Sequence, residues 1–218
     1  MIRALVFDFD GVLIDTEQPI YESWRELYEA HGEELDADWW ATAVVGSPAG
    51  AVDLVAILEQ RVGAPIAHET LDAQAARARR LVERRASCPG VDDYIGQAGR
   101  LGLKRAVVSN SSRAWVLSLL ARLGRVELWD CLCCREDARR GKPSPDLYLR
   151  VLERLRLRAD EVVAFEDSLH GVRAAKEAGL VCVAVPTPLT RLLSYDEADV
   201  RLESLSELTL AELLARVT

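Results

Sequence analysis

Apolar residues follow two rhythms along this chain. Short continuous runs bounded by polar residues have the length and β-branched content of buried strands. They are Ala4-Leu5-Val6-Phe7, within a strand predicted over 3–8, then Ala106-Val107-Val108 behind Arg105, Val162-Val163-Ala164-Phe165, and Val181-Cys182-Val183-Ala184-Val185. Elsewhere the apolar positions recur at helical spacing. Ile20, Trp24, Leu27 and Tyr28 predict a helix over 17–31, stopped by Gly32. Ser111 to Leu123, Pro145 to Leu155 and Ser168 to Ala178 predict three more, the first and last stopped by Gly124 and Gly179.

The two rhythms are unevenly distributed. Between Gly32 and Ser87 no convincing strand occurs. Helices are predicted over 36–45, 50–62 and 68–85, separated by Gly46-Ser47-Pro48 and Gly63-Ala64-Pro65, and Cys88-Pro89-Gly90 is a strong break. Strand and helix then alternate, which implies a mostly parallel sheet with right-handed crossovers. The expected fold is α/β: a Rossmann-like parallel-sheet core, from residues 1–16 and 86–218, with an all-helical block of residues 17–85 inserted after the first strand. The block would join the core near Asp15-Thr16 and Ser87-Cys88-Pro89. Trp24, Trp39 and Trp40 are read as filling the core of the helical block rather than touching substrate.

Length and composition bound the function. The chain has 218 residues, half of them hydrophobic, enough for a full α/β domain with an insertion. Its net charge of −8 argues against a nucleic-acid partner. Arg77, Arg79, Arg80, Arg84 and Arg85 crowd the end of one predicted helix, where cations complement the helix dipole. No run of about 20 apolar residues is present, so no membrane span is expected. The first residues enter a strand without a signal-peptide pattern, so a cytoplasmic protein is expected. The cysteines, Cys88, Cys131, Cys133, Cys134 and Cys182, are odd in number; Cys131, Cys133 and Cys134 are clustered, but no further C-x-x-C pair accompanies them. They are read as reduced structural residues.

Chemistry concentrates where apolar runs end. The first runs into Asp8-Phe9-Asp10-Gly11, two carboxylates one residue apart. Residues beyond the carboxyl end of a strand in an open α/β sheet face the ligand crevice. Two carboxylates there repel each other, and a divalent cation with hard oxygen ligands, such as Mg²⁺, would offset this. An acidic turn explains the same residues. Val107-Val108-Ser109-Asn110-Ser111 places a hydroxyl between strand and helix, where phosphate binds well but where an N-cap is also ordinary. Gly141-Lys142-Pro143 sets one lysine in a loop, and Glu166-Asp167-Ser168 ends another apolar run in two carboxylates, with capping as the competing role.

In this order, the four motifs resemble those of the haloacid dehalogenase superfamily, in the subgroup with a helical cap that includes β-phosphoglucomutase and many sugar-phosphate phosphatases. The likeness spans essentially the whole chain and is most specific at Asp8-Phe9-Asp10-Gly11-Val12-Leu13-Ile14-Asp15 and Glu166-Asp167-Ser168-Leu169-His170-Gly171. It implies a Mg²⁺-dependent phosphatase that works through an aspartyl-phosphate. Asp8 would be the nucleophile and Asp10 the general acid/base. Ser109 and Lys142 would hold the transferring phosphoryl group, with Asn110, Ser111 and Ser112 near substrate. Asp8, the Asp10 main-chain carbonyl and Asp167 would bind Mg²⁺, with Glu166 assisting. The expected partner is a small phosphorylated metabolite, met by a monomer.

Mutases of the subgroup carry a cap arginine after a Gly-Val-Ser-like turn, a histidine early in the first cap helix and a lysine after the second serine of the Ser-x-Ser motif. Here those places hold Gly46-Ser47-Pro48-Ala49-Gly50, Ile20 and Ser112. A phosphatase is therefore expected, with a sugar-phosphate mutase as the alternative. Dehalogenation of 2-haloacids is disfavoured because that branch generally lacks the second acid, here Asp10. A non-catalytic binding protein would be expected to have lost Asp8, Asp10 or Lys142.

Overall fold

A computed structural model describes residues 1–48 and 50–217; Ala49, within the 46–50 stretch compared above with the mutases, lies outside them. Six parallel strands form one sheet: β1 (Ala4–Asp8), β2 (Lys104–Val108), β3 (Cys131–Cys133), β4 (Val162–Glu166), β5 (Val181–Ala184) and β6 (Val200–Arg201), in the order β3-β2-β1-β4-β5-β6. Leu5 pairs with Arg105 on one side and Val163 on the other, so β1 is central. The strand order reverses beside β1, which opens a crevice at the carboxyl ends of β1 and β4. This is a Rossmann-like α/β fold.

Alternation within the strands divides the core. Leu5, Phe7, Val107, Val163 and Phe165 pack on one face with α5 (Val91–Arg100), α6 (Arg113–Arg122) and α9 (Leu210–Val217). Val6, Ala106, Val108, Ala164 and Cys182 pack on the other with α7 (Asp146–Leu155) and α8 (Leu169–Glu177). Strands buried on both faces read as unbroken apolar runs, which is why they were visible in the sequence.

Between Asp15 and Ser87 lie α1 (Glu17–Ala30), α2 (Ala37–Ala43), α3 (Leu54–Val62) and α4 (His68–Val82), with no strand among the described residues of this stretch. They surround a separate apolar cluster containing Tyr28, Trp40, Val45 and Leu58. The two linkers run together: Ile14 and Ser87 form an antiparallel bridge, and Cys88 N–H donates to the Leu13 carbonyl at 3.0 Å. α3 starts later than its apolar pattern suggests because the Asp53 side chain caps it, accepting from Ala56 N–H. The arginines ending α4 are partly absorbed locally: Arg79 pairs with Glu83, and Arg77 with Glu26 of α1.

Four elements were not read from the sequence. Gly96 and Gly99 weaken the helical signal of α5, β3 has three residues and β6 two, and α9 is a short terminal helix.

Candidate active site

β1 ends at Asp8, and a tight turn follows. Gly11 N–H donates to the Ile14 carbonyl at 2.8 Å, and Gly11 adopts φ +90°. Asp10 therefore lies in the turn, not on a strand face shared with Asp8. Both nevertheless line one cavity of about 430 Å³ between the sheet and the helical block.

Asp8 Oδ1 accepts from Phe9 N–H and from Lys142 Nζ, each at 2.7 Å. No hydrogen bond reaches its other oxygen among the described residues. Asp10 is fixed from four directions. Oδ1 accepts from Thr16 Oγ1 at 2.8 Å and Trp115 Nε1 at 3.0 Å, and Oδ2 from Ser109 Oγ at 3.1 Å and Ser111 Oγ at 2.7 Å.

The structure separates capping from the other roles weighed for the serines and Asp167. Ser112 caps α6, accepting from Trp115 N–H. Ser109 instead uses its hydroxyl on Asp10 and accepts from Ser111 N–H. Ser168 caps α8 by accepting from Gly171 N–H at 3.0 Å, so Asp167 has no part in that cap.

Lys142 is not solvated. Its side chain is buried, its Nζ also lies 2.7 Å from Glu166 Oε1, and the Tyr148 ring packs 5.6 Å away. The Lys142 backbone is set by Asn110, whose Oδ1 accepts from Lys142 N–H at 2.8 Å. Asn110 Nδ2 donates to the Gly46 carbonyl at 2.9 Å, tying the core to the inserted helices. His170 Nδ1 lies 3.2 Å from the Val45 carbonyl on the same loop.

Oxygens from Asp8, Glu166 and Asp167 all lie within 4.8 Å of one another. One buried cation faces three buried carboxylates. Burial and then Glu166 hold Asp8 well above the usual carboxylate range, with Lys142 opposing; burial, Asp8 and Glu166 do the same to Asp167. Burial pushes Lys142 down, but Asp8 and Glu166 outweigh it and its ammonium is raised overall. The lysine stays charged, and the three carboxyl groups compete for it.

These carboxylates fit a hard divalent cation. Glu166 Oε2 and Asp167 Oδ2 are buried without hydrogen-bond partners among the described residues. A Cβ on Gly11 would lie 2.0 Å from Asp167 Oδ2, and one on Gly171 would lie 1.8 Å from Glu166 Oε2, so each glycine leaves room for a carboxylate. Unpaired buried oxygens carry a full desolvation cost unless something satisfies them.

The cavity wall from the helical block is mostly apolar. Trp24 and Trp40 pack in that block's cluster and also line the cavity. Glu17, first in α1, also lines it; burial, then Asp10, Asp8 and Asp15, push its carboxyl up to about 8. Thr16, Trp115 and Tyr148 were not identified from the sequence. Tyr148 donates a hydrogen bond to Glu166. Their only sequence signal was an unexplained polar atom on an otherwise core-type residue.

A strand-end nucleophile candidate beside an acidic cluster and one buried lysine characterises a known class. The model of the haloacid dehalogenase-like hydrolases matches residues 2–179, and the chain belongs to this family. Within it the chain is a phosphoric monoester hydrolase. YhcW of Bacillus subtilis (strain 168) is 39% identical over 215 residues, covering 98% of this chain and 97% of YhcW. A phosphorylated carbohydrates phosphatase of Thermotoga maritima is 31% identical over 190 residues, covering 82% of each chain. CbbY from Rhodobacter sphaeroides, solved as a mutant in complex with xylulose-(1,5)bisphosphate, superposes with a TM-score of 0.80 at 31% identity, over 98% of this chain and 99% of that one.

Proposed function

We propose that this protein is a Mg²⁺-dependent phosphatase that hydrolyses small phosphorylated metabolites, sugar phosphates or similar, through an aspartyl-phosphate on Asp8. The observation that carries this reading is the pairing of Asp8 and Asp10 in one cavity, with Lys142 the single cation among its described lining residues. Relatives that act on phosphorylated carbohydrates support the substrate class.

Lys142 and the Phe9 amide anchor one oxygen of Asp8, leaving the other to attack phosphorus. Lys142 faces the negative charge spread over the equatorial oxygens, the main electrostatic demand of phosphoryl transfer. Asp10 protonates the departing oxygen and then takes a proton from the water that hydrolyses the acyl phosphate. Its four hydrogen bonds aim it at the leaving side. Ser109 orients Asp10 in this arrangement and stands ready at the phosphoryl oxygens. Asp8, the Asp10 carbonyl and Asp167 would hold Mg²⁺, with Glu166 assisting. The metal would add charge stabilisation on the transferring group.

Residues 17–85 act as a cap on the core of 1–16 and 86–218. The cap excludes water during the first transfer and selects the leaving group. Asn110 and His170 hold its Val45-Gly46 loop down. Five unpaired cysteines suit a reducing, cytoplasmic compartment.

Hydrolysis is favoured over mutase chemistry. A mutase must grip a second phosphate, yet apart from Lys142 the cavity lining offers carboxylates, serines, Asn110 and apolar groups. The test is a panel of phosphorylated sugars and polyols with phosphate detection, including β-glucose 1-phosphate with a trace of the 1,6-bisphosphate. Release of free phosphate is expected; efficient isomerisation to glucose 6-phosphate with little phosphate would overturn the reading.

A further inference from the structure

Away from the cavity, Cys131 and Cys133 stand two apart on β3, one of the two edge strands, with their sulfurs 3.7 Å apart. Arg154 of α7 reaches over them. Its Nη1 lies 3.4 Å from Cys133 Sγ and donates to the Leu132 carbonyl at 2.9 Å. The hydrogen bond from Cys133 and then Arg154, against burial, lower the Cys131 thiol below its ordinary range, and the same hydrogen bond and burial raise Cys133. The more accessible Cys88 is the opposite case: burial and then Asp15 push it up to about 12. A thiol beside a guanidinium carries the thiolate character that oxidants attack.

This pair sits behind the Ser109 loop. The Cys133 carbonyl accepts from Ser109 N–H at 3.0 Å, and the Ser111 carbonyl accepts from Arg135 N–H at 3.1 Å. The register Val108↔Cys133 makes β3 the outer support of the strand that leads into Ser109, and β2 is its only strand partner among the described residues.

We propose that Cys131 and Cys133 form a redox-modifiable pair, which a hydroperoxide converts to an intramolecular disulfide that displaces the Ser109–Ser111 loop. The Cys131 thiolate attacks one peroxide oxygen, the O–O bond breaks, and the departing oxygen leaves as water or alcohol with the proton that the thiol gave up. The Cys133 sulfur then attacks the Cys131 sulfenic sulfur. The S–S bond forms, and hydroxide departs and takes the Cys133 proton as water. Two thiols lose two electrons, and the peroxide gains them.

Residues two apart on a strand are separated by about 6.6 Å, near the upper limit for a disulfide at about 6.8 Å. Forming the bond therefore puckers β3, and a strand bonded on one side yields most easily. Strained disulfides of this kind are the readily reduced ones.

The activity arm of the test rests on the phosphatase reading; the chemical arm does not. The protein is treated with hydrogen peroxide, free thiols are alkylated, and the tryptic peptide of residues 126–135 is weighed. The expected product has lost two hydrogens and carries one alkyl group, on Cys134, and dithiothreitol restores three alkylation sites. Cys134→Ser should still form the disulfide, and Cys131→Ser and Cys133→Ser should not. Turnover of p-nitrophenyl phosphate should fall about tenfold or more on oxidation, as expected for a misplaced catalytic loop, and recover with dithiothreitol. Cys131→Ser should keep its turnover under peroxide. Hydrogen exchange at the Ser109 and Ser111 amides should accelerate in the oxidised protein. Full alkylation of all three cysteines after peroxide overturns the proposal, as does a disulfide that leaves both turnover and exchange unchanged. If the untreated protein shows no turnover, the phosphatase reading fails, and alkylation and exchange still decide the thiol pair.

Discussion

Lys142 Nζ lies 2.7 Å from Asp8 Oδ1, and both side chains are withdrawn from solvent. The lysine is also the counter-charge for Glu166, so its removal would leave three buried carboxylates without a cation. Breaking a buried pair by deleting one partner costs about 3–5 kcal/mol. Lys142→Met should lower metal-free stability by about that amount and abolish turnover. Chemical denaturation and phosphate release are the checks. A variant as stable as the native protein would mean that the carboxylates are already neutral.

Asp8→Asn and Asp10→Asn should differ. Asparagine at position 8 removes the nucleophile, and turnover should fall by at least about 10³-fold with the circular dichroism spectrum unchanged. Asparagine at position 10 removes proton transfer alone, worth roughly 10²–10⁴-fold. An acid quench with a radiolabelled phosphoester should then find label on Asp8 in the Asp10 variant and none in the Asp8 variant. Equal labelling of both would contradict the assignment.

EDTA should silence the enzyme, and Mg²⁺ should restore it. Asp167→Ala should raise the half-saturating Mg²⁺ concentration by at least about tenfold, since weaker perturbations around a metal already cost that much. Activity that persists fully in EDTA would reject the metal.

Stability without metal should fall as pH rises. Glu17 is raised from its ordinary 4.5 to about 8 by burial and by Asp10, Asp8 and Asp15. A carboxyl raised on folding binds its proton more tightly in the folded chain. Its contribution is complete below about pH 4.5 and is lost as pH climbs through about 8. Asp8 and Asp167 are shifted in the same direction. The melting temperature should thus be lower at pH 8.5 than at pH 6, and Glu17→Gln should flatten the slope. A native profile that rises across this interval would exclude the effect.

What could be read from the sequence has a physical pattern. Asp8, Ser109 and Glu166 each end or follow an apolar run, and a strand buried on both faces writes such a run plainly. Asp10, Lys142 and Asp167 were found because they stand beside these ends or in an ordered motif. Trp115 and Tyr148 resemble ordinary helix-core residues, and their polar contacts cross 105 and 18 positions to Asp10 and Glu166. Periodicity records which face is buried, not what a buried polar tip meets. Likewise β3 is too short to show a period, although it supports the Ser109 loop.

The central place of β1 also governs how the chain can be made. Ala4 needs Lys104 on one side and Val162 on the other, so β1 completes its pairing only after about 160 further residues have emerged. At ordinary synthesis rates that is a wait of roughly 10–30 s. During it, the apolar run from Ala4 to Phe7 has no β4 to cover it, while the helices of residues 17–85 are complete. The segment that ends in Asp8 thus waits longest for its second neighbour, and a stall anywhere before Val162 leaves that side of β1 unpaired.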